Sequence, residues 1–174
     1  MKRPSLALAL ALATFTAAFA LQADEVKLSN VHLCCGACVK GVEKVAAKVS
    51  GASVAIDKDA GTVVISSSNK AALQQTVDAL VTAGYFGKSS DASIKVAANT
   101  GAKDGKVQSL KVEGVHLCCG KCVTAVQGAL GKVAGVKGNT AEKNVKTFEV
   151  TGDFSSKAVF DALNEAGLTG KVAK

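Results

Sequence analysis

The sequence is poor in aromatic residues and almost free of proline. Its 174 residues include six phenylalanines, one tyrosine, no tryptophan and one proline, Pro4. Nucleic-acid binding usually requires a basic stripe together with aromatic side chains that stack on bases. Here the lysines behind the net charge of +7 are scattered singly along the chain. The composition therefore argues against nucleic acid as a partner, and we expect the lysines to keep the protein soluble.

Arrangements of residues that would indicate an enzyme are also absent. No paired carboxylates, no serine–histidine pair and no glycine-rich phosphate loop stand out in the sequence. Hydrolases and group-transfer enzymes need such groups as acid, base, nucleophile or phosphate cradle. We therefore expect no enzymatic activity.

Long apolar runs are confined to the N-terminus. Ser5 to Ala20 carries no charge and follows Lys2 and Arg3, and Ala18-Phe19-Ala20 forms an A-x-A cleavage site. These are the features of a secretory signal peptide. The run is also shorter than the ~20 residues that a membrane span needs. We predict that residues 1–23 form a signal peptide and that the mature protein is periplasmic or secreted, with no membrane span after cleavage.

All six cysteines and both histidines lie in two copies of one nine-residue stretch. Val31–Val39 and Val115–Val123 are identical at eight of nine positions and are 84 residues apart. Such a period is too long for a solenoid repeat and suits a small complete domain. The repeat therefore predicts two domains with two equivalent sites.

The hydrophobic periodicity around each copy alternates between strand and helix patterns. In the first copy we predict, in order, a strand at Val26–Leu33, a helix with Val42, Val45, Ala46 and Val49 inward and Gly51 as its cap, a hairpin of Ala52–Ile56 and Thr62–Ser66, and a helix from the N-cap Asn69 to Gly84. A last strand either follows Tyr85 at once or includes Ser93–Ala97.

The pattern restarts in the second copy after a small, polar, glycine-bearing segment. There we predict a strand at Val107–Leu117, a helix with Val126, Ala129, Leu130 and Val133 inward, a strand at Lys146–Val150 and a helix after Asp153. Each copy then reads β-α-β-β-α-β, so the predicted fold is α+β with two ferredoxin-like domains. The predicted limits are 25–97 for the first domain, 98–105 for the linker and 106–174 for the second domain.

Each copy contains a C-x-x-C pair, Cys35 with Cys38 and Cys119 with Cys122. The pairs are predicted at a strand-to-helix junction, with the second thiol in the first turn of the helix. There the helix dipole and free amide groups should lower the pKa of that thiol. Thiolates are soft ligands that select ions such as Cu(I) and Zn(II).

Two further candidate ligands precede each pair. On a strand, His32 and Cys34 would project from one face while Leu33 points into the core. One interpretation is therefore a closed tetrahedral zinc site with three thiolates and one imidazole. The other is that the C-x-x-C pair alone holds a near-linear Cu(I), with Cys34 accessory and the histidine exposed. The candidate ligands are His32, Cys34, Cys35 and Cys38 in the first copy and His116, Cys118, Cys119 and Cys122 in the second.

On these motifs the chain resembles two heavy-metal-associated domains. That family has Gly-Met-x-Cys-x-x-Cys at the first strand–helix junction and Ala-Gly-Tyr or Ala-Gly-Phe after the second helix. This sequence has Cys35-Gly36-Ala37-Cys38 and Cys119-Gly120-Lys121-Cys122 at the first place, and Ala83-Gly84-Tyr85 and Ala166-Gly167-Leu168 at the second. It departs from the family at His32-Leu33 and His116-Leu117, which replace Gly-Met.

The resemblance implies a protein that binds about one soft metal ion per domain for metal trafficking, sequestration or detoxification. It also implies a metal transporter or another metallochaperone as partner, and it places Tyr85 and Leu168 near the metal, where an apolar neighbour would exclude water.

A thiol-disulfide redox protein is the alternative from another class, because an exported C-x-x-C protein meets an oxidising environment. A thioredoxin-like site, however, implies a cis-proline beside the disulfide, and Pro4 lies in the leader. A docking adaptor with purely structural cysteines is a third possibility. Structural disulfides usually join distant loops, whereas these cysteines are clustered.

Overall fold

The computed structural model describes residues 23–174. The predicted signal peptide, apart from its last residue, lies outside these residues. The elements in chain order are β1 (Asp24–Ser29), α1 (Gly36–Ala46), β2 (Ala52–Asp57), β3 (Thr62–Ser67), α2 (Lys70–Thr82), β4 (Lys88–Ser89), β5 (Lys106–Glu113), α3 (Gly120–Leu130), β6 (Val136–Asn139), β7 (Thr147–Ser155), α4 (Ser156–Glu165) and β8 (Lys171–Val172). None of the helices in this part of the chain is long and apolar enough to span a membrane.

The strands form two separate four-stranded antiparallel sheets. Their orders are β2-β3-β1-β4 and β6-β7-β5-β8, so the second sheet repeats the topology of the first. In each half the two helices pack on each other and on the sheet. The predicted fold class is confirmed: the chain forms two ferredoxin-like α+β units.

The predicted helical stripes face the cores within the helices, but Val49 and Val133, which were also predicted on them, lie beyond the ends of α1 and α3. In α1, Val42 and Ala46 are buried, and in α2, Leu73, Val77 and Leu80 are buried. They cover strand residues of the adjacent sheet, whose side chains alternate between the core and solvent. Burial of these apolar side chains is the main force that holds each small unit together.

The first strand of each copy is shorter than predicted. β1 ends at Ser29 and β5 ends at Glu113, so the prediction that these strands continue to the leucine before the cysteines is wrong. Asn30 and Gly114 follow with φ of 60° and 81°, which interrupts the extended backbone that a ladder needs. The chain beyond each break therefore approaches the helix as a loop.

Three other predictions in the first copy can be compared with the structure. Gly51 does not cap α1, because the helix ends at Ala46 and Ala47 is its cap. Asn69 caps α2 as predicted, with its side chain accepting the amide of Ala71 at 2.9 Å. The last strand is β4, shortly after Tyr85, and not Ser93–Ala97. The backbone of Lys95 is instead hydrogen-bonded to the side chain of Gln74 in α2. Its amide donates to Oε1 and its carbonyl accepts from Nε2, both at 2.8 Å, so these groups are not available to a neighbouring strand.

In the second copy, β7 extends to Ser155, beyond the predicted Val150. Ser155 then caps α4 by accepting the amide of Ala158, so the helix begins later than Asp153 suggests. Residues 98–105, predicted as the linker, form neither helix nor strand. They nevertheless contact the second unit, since the carbonyl of Thr100 accepts the amide of Val172 at 2.8 Å.

Candidate metal centre

The loop between β1 and α1 holds the first cysteine cluster in place. The amide of Val31 donates to the carbonyl of Gly61 at 2.9 Å, and the side chain of Leu33 is buried. Cys35 is the N-cap of α1 with extended backbone, and the amide of Cys38 donates to its carbonyl at 3.0 Å. The two thiols of the C-x-x-C pair are therefore fixed at the start of the helix, one turn apart.

The second cluster is built in the same way. Leu117 is buried, and its carbonyl accepts the amide of Asn144 at 2.7 Å. Cys119 is the N-cap of α3 with extended backbone, and the amide of Cys122 donates to its carbonyl at 3.1 Å. The two copies thus have matching local geometry as well as matching sequence.

The two units meet through the segments that follow α2 and α4. Tyr85 and Leu168 form an antiparallel bridge. On either side of it, the amide of Phe86 donates to the carbonyl of Gly167 at 3.2 Å, and the amide of Thr169 donates to the carbonyl of Gly84 at 3.1 Å. Backbone hydrogen bonds therefore join the halves next to the cysteine loops.

Gly84 and Gly167 allow this approach. Both have left-handed backbone, with φ of 89° and 76°. A Cβ on Gly84 would lie 2.7 Å from the amide nitrogen of His116, and one on Gly167 would lie 2.6 Å from that of His32. Each glycine thus contacts the cysteine loop of the other unit, and the amide of His32 donates to the carbonyl of Gly167 at 3.2 Å.

This packing brings all six thiols into one cluster, hereafter the six-thiol cluster. Between the units, the Sγ–Sγ distances are 3.3 Å for Cys34–Cys119, 3.4 Å for Cys34–Cys122, 3.7 Å for Cys35–Cys118 and 3.5 Å for Cys38–Cys118. Within the units, they are 3.6 Å for Cys34–Cys38, 3.8 Å for Cys35–Cys38, 3.7 Å for Cys118–Cys122 and 3.8 Å for Cys119–Cys122. All six cysteines are free thiols. The distances show that the cysteines predicted from the two copies of the motif converge on a single place.

The cluster is partly shielded from solvent. Cys38 and Cys122 are completely buried, whereas the other four cysteines are partly exposed. An open surface cleft of about 560 Å³ is lined in part by His116 and Cys118. Small ions can therefore reach the outer sulfurs while the inner pair stays away from water.

The thiols at the helix N-caps are the acidic ones. The backbone amide of Cys122, followed by the thiol of Cys34, lowers the pKa of Cys119 to about 6. The amide of Cys38 likewise lowers the pKa of Cys35. A backbone amide directed at the sulfur favours the thiolate over the neutral thiol.

Burial raises the pKa of three other thiols. Desolvation raises the pKa of Cys122, so the prediction that the helix acidifies the second thiol of the pair is wrong there. Desolvation also raises the pKa of Cys34 and Cys118, and hydrogen bonds to neighbouring thiols add to this effect. The effect of the helix N-terminus thus falls on the first cysteine of each pair, because that residue is closest to solvent.

The two histidines differ in their contacts although their sequences match. The Tyr85 hydroxyl donates to the carbonyl of Cys38 at 3.1 Å, and its oxygen lies 3.3 Å from Nε2 of His116. Leu168 stands at the equivalent place in the second copy and has no hydroxyl. Nε2 of His32 is buried and has no hydrogen-bond partner among residues 23–174. Burial lowers the pKa of both imidazoles, and neither is the freely exposed side chain of the alternative interpretation.

Four groups of donor atoms within residues 23–174 lie close enough together to hold an ion. Their members lie within 4.8 Å of one another: His32, Cys34 and Cys122; Cys34, Cys35 and Cys119; Cys35, Cys38 and Cys118; and Cys118, Cys119 and Cys122. Three of the four groups combine both units. His32 belongs to a group that includes a cysteine of the second unit, and His116 belongs to none of the four.

No protein-family model and no curated protein matches the chain. Solved structures resemble it at low identity. The N-terminal domain of PacS from Synechocystis PCC6803 is 22% identical over 39% of this chain and 100% of its own, with a TM-score of 0.36. A copper binding domain from HMA7, a P-type ATPase, is 19% identical over 39% of this chain and 96% of its own, with a TM-score of 0.36.

The N-terminal soluble domains of Bacillus subtilis CopA are 16% identical over 87% of this chain and 95% of their own, with a TM-score of 0.34. Identities and TM-scores this low leave the function to be inferred from the geometry of the chain itself.

The sequence does not indicate that the two sites face each other. Tyr85 could be placed near the site from the Ala-Gly-Tyr motif, but its contact with His116 of the other unit could not. The roles of Gly84 and Gly167 as close-approach points between the units were also missed. Nothing in the linear pattern distinguishes a glycine that ends a helix from one that also contacts a second domain.

Proposed function

We propose that the mature protein is an exported metal-binding protein that holds soft ions, Cu(I) or Zn(II), for metal trafficking, sequestration or detoxification. The observation that carries this proposal is the six-thiol cluster, whose neighbouring sulfurs are separated by 3.3 to 3.8 Å. Thiols distributed for structural disulfides would instead be spread over distant loops.

The distances suit a metal ion. In a tetrahedral site with metal–sulfur bonds of about 2.3 Å, neighbouring sulfurs are about 3.8 Å apart. The sulfurs here are close to that spacing. Thiolate ligands favour Cu(I) and Zn(II) over hard cations such as Mg²⁺ or Ca²⁺. Neutral imidazole at His32 adds a nitrogen donor beside two of the sulfurs.

The setting of the cluster agrees with binding and release rather than catalysis. Four partly exposed cysteines give ions a way in, while the completely buried Cys38 and Cys122 limit access of water. A partner that supplies or receives the ions, such as a metal transporter or another metallochaperone, belongs to this proposal. Export also belongs to this proposal, and it depends on the signal peptide predicted at residues 1–23.

The proposal is tested by anaerobic equilibrium dialysis of the reduced mature protein against Cu(I), with Mg²⁺ as the hard-ion control. We expect close to two Cu(I) ions per chain. Changing Cys35, Cys38, Cys119 and Cys122 together to serine should abolish this uptake. The control is Lys121→Ala, which makes the second motif identical to the first. Absence of Cu(I) uptake by the wild-type chain, or unchanged uptake by the serine variant, would contradict the proposal.

A thiol-disulfide redox function is the second candidate, and the acidic Cys119 is the observation in its favour. A low-pKa thiol beside other thiols can attack a disulfide. This function predicts rapid turnover of a disulfide substrate by the metal-free protein with a dithiol reductant. Metal binding without such turnover supports the first candidate.

A further inference from the structure

The six-thiol cluster is not simply two C-x-x-C sites placed side by side. The sulfur of Cys118 lies 3.7 Å from Cys35 and 3.5 Å from Cys38, which are themselves 3.8 Å apart. These three atoms form a nearly equilateral triangle. Two of its corners come from the first unit and the third comes from the second.

The same triangle occurs with the roles of the units exchanged. The sulfur of Cys34 lies 3.3 Å from Cys119 and 3.4 Å from Cys122, which are 3.8 Å apart. Accidental crowding at one point of an interface would not repeat under exchange of the halves. The two triangles therefore follow from the pseudo-twofold arrangement of the repeat.

The distances favour the mixed triangle over the set within one unit for the pair Cys119 and Cys122, whereas Cys38 lies almost equally far from Cys34 and Cys118, at 3.6 and 3.5 Å. In the second unit, Cys118, Cys119 and Cys122 also lie within 4.8 Å of one another. The contacts from Cys34 to Cys119 and Cys122, however, are shorter than those that Cys118 and Cys119 make with Cys122. The first cysteine of each motif is thus at least as well placed to complete the C-x-x-C pair of the other unit as to complete the pair of its own unit.

We propose that the two units share one metal cluster, in which each C-x-x-C pair binds a Cu(I) ion together with the first cysteine of the other unit. One ion is bound by Cys35, Cys38 and Cys118, and the other by Cys119, Cys122 and Cys34. This proposal rests on the proposed function. Three sulfurs per ion suit Cu(I), because structural zinc is almost always four-coordinate.

Sharing the ligands has a consequence for the role of the protein. Each ion joins both halves, and its release requires Cys34 or Cys118 to leave it. The backbone hydrogen bonds of Phe86 and Thr169 across the interface hold the halves in the arrangement that keeps the third sulfur in place. The shared cluster therefore favours holding ions over rapid transfer from one separate domain.

The test uses the mature chain with one pair disabled, so that two three-sulfur sets compete for the other pair. In the Cys119→Ser, Cys122→Ser background, Cys35 and Cys38 can be completed either by Cys118 of the other unit, as proposed, or by Cys34 of their own unit, which lies 3.6 Å from Cys38. To this background we would add either Cys118→Ser or the matched control Cys34→Ser. The number of sulfurs bound to Cu(I) is measured by X-ray absorption, and folding is checked by circular dichroism.

We expect three sulfurs per Cu(I) in the background protein and in the variant with Cys34→Ser. Adding Cys118→Ser should reduce the number to two. The reciprocal background, Cys35→Ser with Cys38→Ser, should reverse the result, so that Cys34→Ser removes one sulfur and Cys118→Ser removes none. This second series keeps the test decisive if a variant of the first series does not fold.

In the first background, three results would overturn the shared cluster. They are loss of a sulfur from Cu(I) with Cys34→Ser alone, an equal loss with Cys34→Ser and with Cys118→Ser, and no loss with either. In each of these cases the wild-type chain still binds Cu(I), and the proposed function stands. No Cu(I) uptake by the wild-type chain would instead overturn the proposed function and the shared cluster together.

Discussion

The Tyr85 hydroxyl oxygen lies 3.3 Å from Nε2 of His116 in the other unit, whereas Nε2 of His32 has no hydrogen-bond partner in the part of the chain that the structure describes. The difference arises because the second copy has Leu168 where the first has Tyr85. The repeat is therefore asymmetric at its imidazoles, although its cysteines are arranged symmetrically.

This asymmetry predicts different roles for the two histidines in zinc binding. His32 lies with Cys34 and Cys122, which form a triangle of sulfurs with Cys119. His32 can therefore add an imidazole to these three sulfurs as the fourth ligand that Zn(II) prefers. We expect His32→Ala to weaken Zn(II) binding about tenfold or more, equivalent to about 1.4 kcal/mol. The matched change His116→Ala should leave it close to the wild-type value. Competition with a zinc chelator measures both, and equal losses in the two variants would argue against the asymmetry.

The Tyr85 hydroxyl should also contribute to stability. Tyr85→Phe removes a hydroxyl that donates to the carbonyl of Cys38 in α1, and Tyr85 is only 2% exposed. Loss of one such hydrogen bond costs about 0.5–1.5 kcal/mol. We expect a loss of this size in the free energy of unfolding, measured with urea on the reduced, metal-free protein.

The control for this change is Thr82→Ala, which removes an exposed hydroxyl bonded within α2. It should change the free energy of unfolding by no more than about 0.5 kcal/mol. A similar effect of both substitutions would mean that the Tyr85 hydroxyl has no special role at the interface.

Gly84 and Gly167 should be intolerant of a side chain. Alanine at either position would have left-handed backbone and would clash with the backbone of the other unit's cysteine loop. We expect Gly84→Ala and Gly167→Ala each to lower the free energy of unfolding by more than about 1 kcal/mol, the size typical of incompatible glycine replacements. They should also increase amide hydrogen exchange at His32 and Thr169, whose amides donate across the interface.

Gly128→Ala is the matched control for these two variants. Gly128 is exposed within α3, and a Cβ there would meet nothing within 4 Å. Alanine is a better helix former than glycine, so this variant should gain roughly 0.5–1 kcal/mol. If all three substitutions changed the free energy of unfolding in the same direction, the close approach of the units would not explain the effects of Gly84→Ala and Gly167→Ala.

The thiol pKa shifts predict which cysteine reacts first. A thiol with a pKa of about 6 is roughly nine-tenths thiolate at pH 7, and only the thiolate is alkylated. We expect iodoacetamide to modify Cys119 before Cys34 and Cys118, whose pKa values are raised. Its rate should stay nearly level above pH 7 and fall about tenfold per pH unit well below pH 6.

Peptide mass spectrometry of briefly treated, reduced, metal-free protein gives the order of modification. Bound Cu(I) should protect Cys119, because the metal occupies the thiolate. Preferential labelling of Cys34 or Cys118 at pH 7 would contradict the assigned order.

Much of the fold follows from local pattern. The apolar stripes of α1 and α2 and the N-cap at Asn69 are short-range features, and they were predicted correctly. The ends of β1 and β5 were not, because the left-handed backbone at Asn30 and Gly114 breaks a hydrophobic alternation that continues past it. Periodicity reports which side chains are buried, and it does not report where hydrogen bonding between strands stops.

The candidate site was predictable in composition but not in assembly. The repeated motif identified every cysteine of the six-thiol cluster. Contact between Cys34 and Cys119 depends on how two complete units pack, and two units that carry the same motif could equally lie apart. The contacts that join the units come from backbone groups of Phe86, Gly167 and Thr169, which the pattern of side chains along the sequence does not reveal.

The most direct test of the central claim is X-ray absorption of the wild-type mature protein after anaerobic loading with Cu(I). The account predicts a nearest shell made of sulfur, with about three sulfurs per copper at a distance close to the ~2.3 Å of zinc–thiolate bonds. A nearest shell of nitrogen or oxygen without sulfur would contradict it.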